Sequence, residues 1–372
     1  MNTKYLTIKA EQYCIDSETN ADTKRPYAAG IRLTEDDYNG LSEAGIILKS
    51  GGLVAFPTET VYGLGGDGLN SASSKKIYAA KGRPSDNPLI IHIHTWDSMN
   101  EICDDIPENA RLLADAFWPG PLTMIVKKNA KVPYETTGGL DTVAVRMPDH
   151  QVALQFIEAA GGFVAAPSAN TSGRPSPTLS AHVEEDMNGK IEMIIDGGQV
   201  GIGVESTIVD LTSDVPTILR PGYITEEMIE RVLGQVDTDR TILDNTSKQA
   251  PRAPGMKYRH YAPKGSMTLI SGDEEKVIRT INEKVLEARR QGLKTGVLLT
   301  TETFDKIEAD VKKCAGSRYD EHEIAHNLYK ILREFDEEDV SVIYSESFSR
   351  DGFGQAVMNR LLKAAGFAVL EL

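Results

Sequence analysis

Several stretches of this 372-residue chain combine hydroxyl, amide and cationic side chains in loops, where they could bind an anion. The run APSANTSGRPSP, residues 166–177, places Ser168, Asn170 and Ser176 around Gly173. Hydroxyl groups and free backbone N–H groups bind phosphate well. The chain has no G-x-x-x-x-G-K-[ST] sequence, so this run is not a P-loop. A polar surface turn is the alternative interpretation.

Basic residues of region 30–231 stand at the ends of predicted strands and helices, although the region is acidic, with 15 Lys and Arg against 28 Asp and Glu. Guanidinium groups pair with phosphate oxygens in a bidentate manner, so several of them in one cleft would bind a polyphosphate. For any single one, an isolated surface charge is the alternative. The residues are Lys81, Arg83, Arg146, Arg174 and Arg220.

Two further stretches bring hydroxyl groups to predicted strand ends. FPTETVYGLGGDGLN, residues 56–70, contains Thr60 in a strand end followed by a glycine-rich stretch, and GVESTIVD, residues 203–210, contains Ser206. The glycines of the first stretch do not match G-x-G-x-x-G, so a dinucleotide fingerprint is not supported.

Histidine patterns do not favour a metal site. His92 and His94 alternate on a predicted strand, but no cysteine or third histidine lies near them in the sequence. His322 and His326 satisfy H-E-x-x-H on a predicted helix, the spacing of two zinc ligands. Because the flanks of that helix are highly charged and its apolar face omits both histidines, we predict no metal ligands in the protein.

Alternating strands and helices over about 41–236 must position these loops. Apolar runs such as PLIIHIH (88–94) and LTMIVKK (122–128) predict strands, and the spacing in SASSKKIYAAKG (71–82) predicts a helix capped by Gly82. Elements mixed in this way indicate an α/β fold with function in the loops at strand ends.

Residues 237–266 predict a linker of unusual charge. Residues 245–264 contain five basic residues and no acidic residue, and their prolines prevent a continuous helix. A solvated tether and a lid that closes over an anion both fit this composition. Over 267–372 strands and helices alternate again, which predicts a second, smaller α/β domain with a doubly wound parallel sheet.

Composition excludes several classes of protein. The net charge of −15 argues against a broad contact with nucleic-acid backbone. We expect no transmembrane helix, since there is no apolar run of about 18 residues, and no signal peptide. The cysteines Cys14, Cys103 and Cys314 lie too far apart for a disulfide framework or a zinc site, and they fit a reducing cytoplasm.

A set of motifs carries a resemblance to a known family. In order, they are GGLVAFPTETVYGLG, AAKGRPSDNPLIIHI, PGPLTMIV, VAVRMP, APSANTSGRPSPT, GVESTIVD and LRPG. They resemble the YrdC-type threonylcarbamoyl-AMP synthases, and PGMKYRHYAPK with the following domain resembles the larger, two-domain form. The resemblance implies a twisted open-sheet catalytic domain with a basic cleft over 31–236, the linker or lid over 237–266, and a Rossmann-like domain over 267–372. Residues 1–30, an N-terminal extension or edge element, fall outside it.

The resemblance also implies an activity. Members of this family combine L-threonine, bicarbonate or CO2, and ATP into threonylcarbamoyl-adenylate and pyrophosphate. A tRNA threonylcarbamoyl transferase would then use the adenylate to modify tRNA. We therefore expect a cytoplasmic nucleotidyltransferase with ATP, L-threonine and bicarbonate as substrates and Mg²⁺ accompanying ATP. We expect neither membrane attachment nor stable binding of nucleic acid.

The family's site residues transfer to this chain position by position. The Lys-x-Arg and Ser-x-Asn signature, taken as catalytic, falls on Lys81, Arg83, Ser168 and Asn170. Residues that would contact ATP are Arg83, Asn87, Thr142, Ser168, Ser176 and Arg220, with Tyr261 closing over the nucleotide. Residues that would hold threonine are Thr60, His92, Arg146, Ala166 and Ser206, with Arg146 pairing with the carboxylate. The role of Tyr261 favours the lid interpretation of the linker.

Two alternative functions make different demands on the sequence. A related carbamoyl-adenylate or carbamoyl-transfer enzyme would not need to bind threonine. The presence of the threonine-binding set His92, Arg146 and Ser206 argues against it. An RNA-binding module could use a concave basic cleft, but the acidic balance of region 30–231 disfavours it.

Overall fold

The structure is a computed structural model, and it describes residues 2–9, 11–13, 30–239 and 260–372. The described chain divides into two compact units, and the larger one holds the described residues up to 172 together with 177–239. The second unit holds 260–372 together with the short segment 173–176. Most of the predicted basic linker, at 240–259, lies outside the described residues.

The first unit is built on an eleven-stranded mixed sheet with the order β1-β10-β4-β5-β9-β6-β8-β7-β11-β12-β13, and a separate antiparallel pair, β2 and β3. Its strands are β1 Lys4–Thr7, β2 Glu11–Tyr13, β3 Gly30–Arg32, β4 Val54–Phe56, β5 Gly63–Asp67, β6 Ile90–His92, β7 Leu122–Lys127, β8 Thr142–Arg146, β9 Val164–Ala166, β10 Met193–Asp196, β11 Thr207–Asp210, β12 Thr217–Arg220 and β13 Asp237–Thr238. Strand β1 pairs with β10 at one edge, so part of the N-terminal extension is an edge element of this sheet.

Helices cover both faces of this sheet. They are α1 Glu35–Lys49, α2 Ser71–Lys81, α3 Met99–Ile102, α4 Glu108–Phe117, α5 Tyr134–Thr137, α6 Gln151–Ala159, α7 Ser180–Met187 and α8 Glu226–Leu233. Helices α1 and α6 share an apolar core with Val54 and Phe56, whereas α2 and α7 share another core with Leu53 and Ala55. Because successive strand residues point to opposite faces, one short apolar strand supports both layers.

Local sequence signals explain the start and end of two of these helices. Thr34 and Asp37 form a capping box at the start of α1, in which each side chain accepts from the backbone N–H of the other residue. Helix α2 ends where Gly82 adopts the left-handed conformation with φ +62°, as the sequence predicts. After Gly82, the backbone N–H of Arg83 donates to the carbonyl oxygen of Tyr78 at 3.0 Å, which fixes the turn that follows α2.

The glycine-rich stretch after Phe56 contains a strand, β5, which the sequence interpretation did not include. A Cβ atom on Gly63 would lie 3.1 Å from the ring of Phe56, and one on Gly65 would lie 2.9 Å from Cγ1 of Val164. The glycines therefore let β5 fit between the larger side chains of its antiparallel neighbours β4 and β9. At Gly63 and Gly65, the absence of a side chain allows the strands to pack closely.

The second unit contains a five-stranded sheet in which every pair of strands is parallel, with the order β16-β15-β17-β14-β18. Its elements are β14 Ser266–Ser271, α9 Glu274–Arg290, β15 Thr295–Leu299, β16 Val311–Cys314, α10 Glu321–Glu337, β17 Val342–Glu346, α11 Gly354–Ala364 and β18 Val369–Glu371. The prediction of an α/β fold with a second, smaller α/β domain is confirmed. The short strands β16 and β18, at the two edges, were not predicted.

The segment 173–176 is fixed within the second unit by specific hydrogen bonds. Nη2 of Arg333, a fully buried side chain on α10, donates to the carbonyl oxygen of Pro175 at 2.7 Å. The backbone N–H of Ala262 donates to the carbonyl oxygen of Gly173 at 2.9 Å. The sequence boundaries placed these four residues inside the 31–236 domain.

No helix in the described part of the chain is both long and apolar enough to cross a membrane.

Candidate active site

Lys81, at the end of α2, is almost fully buried and joins that helix to the loop after β9. Its ammonium group donates to the carbonyl oxygen of Ser168, to the carbonyl oxygen of Asn170 at 2.5 Å and to Oδ1 of Asn170 at 3.4 Å. The hydroxyl of Ser168 in turn donates to Oδ1 of Asn170 at 2.6 Å. We call these three residues the Lys81 clamp. Its contacts show that Lys81 positions the Ser168 loop.

Arg83 closes the turn that follows α2. Its Nε donates to the carbonyl oxygen of Asn87 at 3.2 Å, and its Nη2 donates to the carbonyl oxygen of Pro88 at 3.0 Å. Asn87 is only 1% exposed, and its Oδ1 accepts no hydrogen bond from the described residues. Because buried amide oxygens are nearly always satisfied, Asn87 is suited to receive a donor from a ligand.

A buried ion pair lies at the end of β8. Nη2 of Arg146 is 2.6 Å from Oε2 of Glu59, and the two side chains are 5% and 1% exposed. Nη1 of Arg146 donates to the hydroxyl of Thr60 at 2.9 Å, and its Nε donates to the carbonyl oxygen of Gly120 at 3.3 Å. We call Glu59, Thr60 and Arg146 the Arg146 cluster.

Backbone hydrogen bonds fix the loop that carries two members of this cluster. The N–H of Ile202 donates to the carbonyl oxygen of Glu59 at 2.8 Å, and that of Gly203 donates to the carbonyl oxygen of Thr60 at 3.1 Å. The hydroxyls of Thr58 and Thr60 are 2.9 Å apart. The Arg146 cluster is therefore held in place by contacts from the GVESTIVD region as well as by its own side chains.

Two histidines close to the Arg146 cluster are neutral at pH 7. His92 pairs with Arg146 across β6 and β8, and burial, assisted by the positive charge of Arg146, lowers the pKa of His92 to about 3. Burial also lowers the pKa of His150 to about 4, although the charge of Glu59 acts in the opposite direction. Neither imidazole adds a charge, so Glu59 and Arg146 carry the fixed charges of the cluster.

Ser206 and Arg220, predicted for threonine and ATP respectively, contact each other. Arg220 donates from Nε to the carbonyl oxygen of Ser206 at 2.9 Å and from Nη2 to its hydroxyl at 3.1 Å. The Ser206 hydroxyl also lies 2.8 Å from that of Thr123. A Cβ atom on Gly222 would lie 2.4 Å from the backbone nitrogen of Thr207, which explains the glycine of LRPG. The close approach brings Arg220 onto the start of β11.

The remaining predicted residues are placed elsewhere. Thr142 and Ala166 lie in the sheet of the first unit, opposite Lys127 and Ile90 of neighbouring strands. Ser176 and Tyr261 belong to the second unit. Tyr261 is buried with φ +63°, and its ring centroid is 5.2 Å from that of Tyr329. Among the side-chain contacts described, the structure thus joins Lys81 with Ser168 and Asn170, Arg83 with Asn87, Thr60 with Arg146, and Ser206 with Arg220.

Sequence reasoning did not assign Glu59 or Thr123 to the site. Glu59 is the acidic residue in the otherwise uncharged run FPTETVYGL, which is entirely buried. Ionised side chains are almost never fully buried unless they are paired, so a carboxylate in such a run is a usable signal.

The H-E-x-x-H pattern lies on the first turns of α10. The ring of His322 stacks on that of Phe353, with centroids 4.9 Å apart. In the part of the chain that the structure describes, no group of three or more His, Cys, Asp or Glu side chains is arranged to hold a metal ion.

Comparisons with known proteins identify the family of this chain. A family model described as telomere recombination, covering the Sua5, YciO and YrdC proteins, matches residues 46–222. A model described as the C-terminal domain of threonylcarbamoyl-AMP synthase matches residues 224–366. A threonylcarbamoyl-AMP synthase of Pyrococcus abyssi is 48% identical over 92% of this chain and 98% of its own length. The chain belongs to the threonylcarbamoyl-AMP synthase family.

Other members support the two-domain form of this family. The Bacillus subtilis synthase is 47% identical over 89% of this chain and 94% of its own length. The crystal structure of P. abyssi Sua5 complexed with L-threonine is similar with a TM-score of 0.87 and 46% identity, over 92% of this chain and 97% of that one. The family predicted from the sequence motifs is therefore confirmed.

Proposed function

We propose that this chain is an L-threonylcarbamoyladenylate synthase, an ATP-using nucleotidyltransferase. The observation that carries the proposal is the Arg146 cluster, a buried guanidinium that is fixed beside a hydroxyl and a carboxylate in the first unit. Relatives that share most of the chain's length are named threonylcarbamoyl-AMP synthase, and the P. abyssi Sua5 structure was determined with L-threonine.

The Arg146 cluster suits the threonine half of the reaction. A guanidinium binds a carboxylate with paired hydrogen bonds, so Arg146 would bind the α-carboxylate of threonine. Thr60 and Ser206 offer hydroxyl groups, and His92, neutral at pH 7, offers an imidazole that can donate or accept. Ala166 would line the same side of the sheet.

The Lys81 clamp and Arg83 suit the nucleotide half. The clamp fixes the loop of Ser168 and Asn170, whose hydroxyl and backbone groups would face phosphate oxygens. Arg83 and Arg220 would neutralise phosphate charge. The amide oxygen of Asn87 would accept a hydrogen bond from the nucleotide. Thr142, Ser176 and Tyr261 are assigned to ATP by the family resemblance alone.

The chemistry requires alignment of two anions. The threonine amine, in its uncharged form, first bonds to the carbon of CO2 and loses a proton, which gives a carbamate. With bicarbonate, the same bond forms as a C–O bond breaks, and the proton leaves with the hydroxide as water. A carbamate oxygen then bonds to the α-phosphorus of ATP as the bond from that phosphorus to the pyrophosphate oxygen breaks. Positioning and charge neutralisation dominate such a nucleotidyl transfer, as they do in phosphoryl transfer, and no nucleophilic side chain is needed.

Mg²⁺ would accompany ATP as a cofactor, and bicarbonate would enter as a substrate. Mg²⁺ is typically held by phosphate oxygens with only one or two carboxylates, so it would enter bound to ATP. The product would pass to a tRNA threonylcarbamoyl transferase, without stable binding of nucleic acid by this chain. The free thiols of Cys103 and Cys314 are compatible with the reducing cytoplasm in which tRNA modification would occur.

Pyrophosphate release tests this proposal. The protein is incubated with ATP and Mg²⁺, and L-threonine and bicarbonate are omitted singly and together. The proposal predicts release only when both are present. Release that does not depend on threonine would instead indicate a related carbamoyl-adenylate chemistry, and no release under any condition would contradict both.

A further inference from the structure

None of the threonine or ATP contacts proposed above involves the carboxylate of Glu59. Its side chain is 1% exposed, yet neither of its oxygens accepts a hydrogen bond from the described residues. Oε2 lies 2.6 Å from Nη2 of Arg146, but this nitrogen also makes no hydrogen bond. The two groups are therefore in contact but are not oriented for a hydrogen bond with each other. Buried carboxylates usually accept several hydrogen bonds, which leaves Glu59 suited to a donor from outside the chain.

The fixed charges near Glu59 match a zwitterion. Since His92 and His150 are neutral at pH 7, the cluster presents one anion beside one cation. A free α-amino acid carries the complementary pair, an ammonium group and a carboxylate on one carbon. We propose that Glu59 binds the α-ammonium group of threonine while Arg146 binds the α-carboxylate.

A role limited to orienting Arg146 fits the contacts less well. Two other groups already fix that guanidinium, the hydroxyl of Thr60 at 2.9 Å and the carbonyl oxygen of Gly120 at 3.3 Å. A ligand with a carboxylate but no ammonium group would place its negative charge beside Glu59, where like charges repel at low local dielectric. Glu59 thus selects amino acids with a free amine and rejects deaminated analogues.

This inference rests on the proposed function, and calorimetric binding to the full chain tests the two separately. The ligands are L-threonine and the dihydroxy acid in which a hydroxyl replaces its α-amine. We expect the wild type to bind threonine roughly 10- to 100-fold more tightly, the range for a hydrogen bond to a charged group. Failure to bind threonine would overturn both proposals, whereas equal affinity for the two ligands would overturn only this one.

Glu59→Gln separates recognition of the ammonium group from support of Arg146. The variant keeps the shape of the side chain and removes its charge, so the preference for threonine should fall towards unity. If both ligands weaken equally and the preference persists, Glu59 only positions Arg146 and the inference is wrong. Glu59→Asp, which keeps the charge, should retain part of the preference. The control Glu192→Gln alters a carboxylate that accepts from the backbone of Leu53, and it should leave the preference unchanged.

Discussion

The Lys81 clamp and the Arg146 cluster both bury a cation in the first unit, but their hydrogen bonding differs. The ammonium of Lys81 donates to three oxygens of Ser168 and Asn170. In the Arg146 cluster, by contrast, Nη2 of Arg146 and both carboxylate oxygens of Glu59 make no hydrogen bond with the described residues.

This difference distinguishes a cation that stabilises a loop from a cation that binds a ligand. A buried cation whose donors meet protein oxygens stabilises one loop conformation, as in the clamp. A buried ion pair with unsatisfied atoms is costly, and it is better explained by a ligand that completes its hydrogen bonds. The two cations should therefore respond differently to substitution.

Arg146→Met should have the largest effect on stability. It leaves Glu59 as an unpaired buried charge, which typically costs about 3–5 kcal/mol in the free energy of unfolding. Urea unfolding measures this loss, and pyrophosphate release should fall to background. The double variant Glu59→Gln/Arg146→Met removes both charges and should recover most of the stability but no activity. If the double variant is as unstable as the single one, the two side chains do not form an energetic pair.

Lys81→Met should have an intermediate effect. It leaves the carbonyl oxygens of Ser168 and Asn170 without their ammonium donor, and an unsatisfied buried group costs about 1–3 kcal/mol. We expect turnover to fall by orders of magnitude because the Ser168 loop loses its position. Unfolding and steady-state assays on one preparation measure both. Near-normal rates would contradict the assignment of Lys81 to the site.

Arg83→Ala should reduce turnover with little change in stability, because its side chain is only half-buried. Loss of one group that stabilises transition-state charge typically costs about 10²- to 10³-fold in rate. The measurement is kcat for pyrophosphate release, with the urea midpoint as control. A wild-type kcat would remove Arg83 from the nucleotide half of the site.

Tyr261→Phe should have the smallest effect. It keeps the ring that packs on Tyr329 and removes only the hydroxyl. If Tyr261 closes over the nucleotide, the KM for ATP should rise about 2- to 10-fold, as expected for one neutral hydrogen bond, with the KM for threonine unchanged. Tyr329→Phe is the matched control and should leave both values unchanged. An unaltered KM for ATP in Tyr261→Phe would argue against a hydroxyl contact with the nucleotide.

Local signals in the sequence predicted much of the fold. The spacing and the terminal glycine of 71–82 predicted helix α2 and its left-handed cap at Gly82, because both depend on nearby residues. Strand β5 was missed because its glycines carry no β propensity, and its formation depends on packing against Phe56 and Val164.

The sequence predicted the site residues that lie in motifs. It did not predict contacts between residues that are distant in the sequence. The segment 173–176 reads as a polar turn, and only the tertiary structure shows Arg333 bonded to Pro175. Similarly, the run FPTET does not reveal that Glu59 lies against Arg146, because that contact depends on how a loop folds back on β8. Local patterns cannot encode such pairings.

Direct detection of the product tests the central claim. The protein is incubated with ATP, Mg²⁺, L-threonine and carbon-13-labelled bicarbonate, and the quenched mixture is analysed by mass spectrometry. The account predicts threonylcarbamoyl-adenylate that carries the label in its carbamoyl carbon, together with pyrophosphate. Consumption of ATP without a labelled adenylate that contains threonine would contradict it.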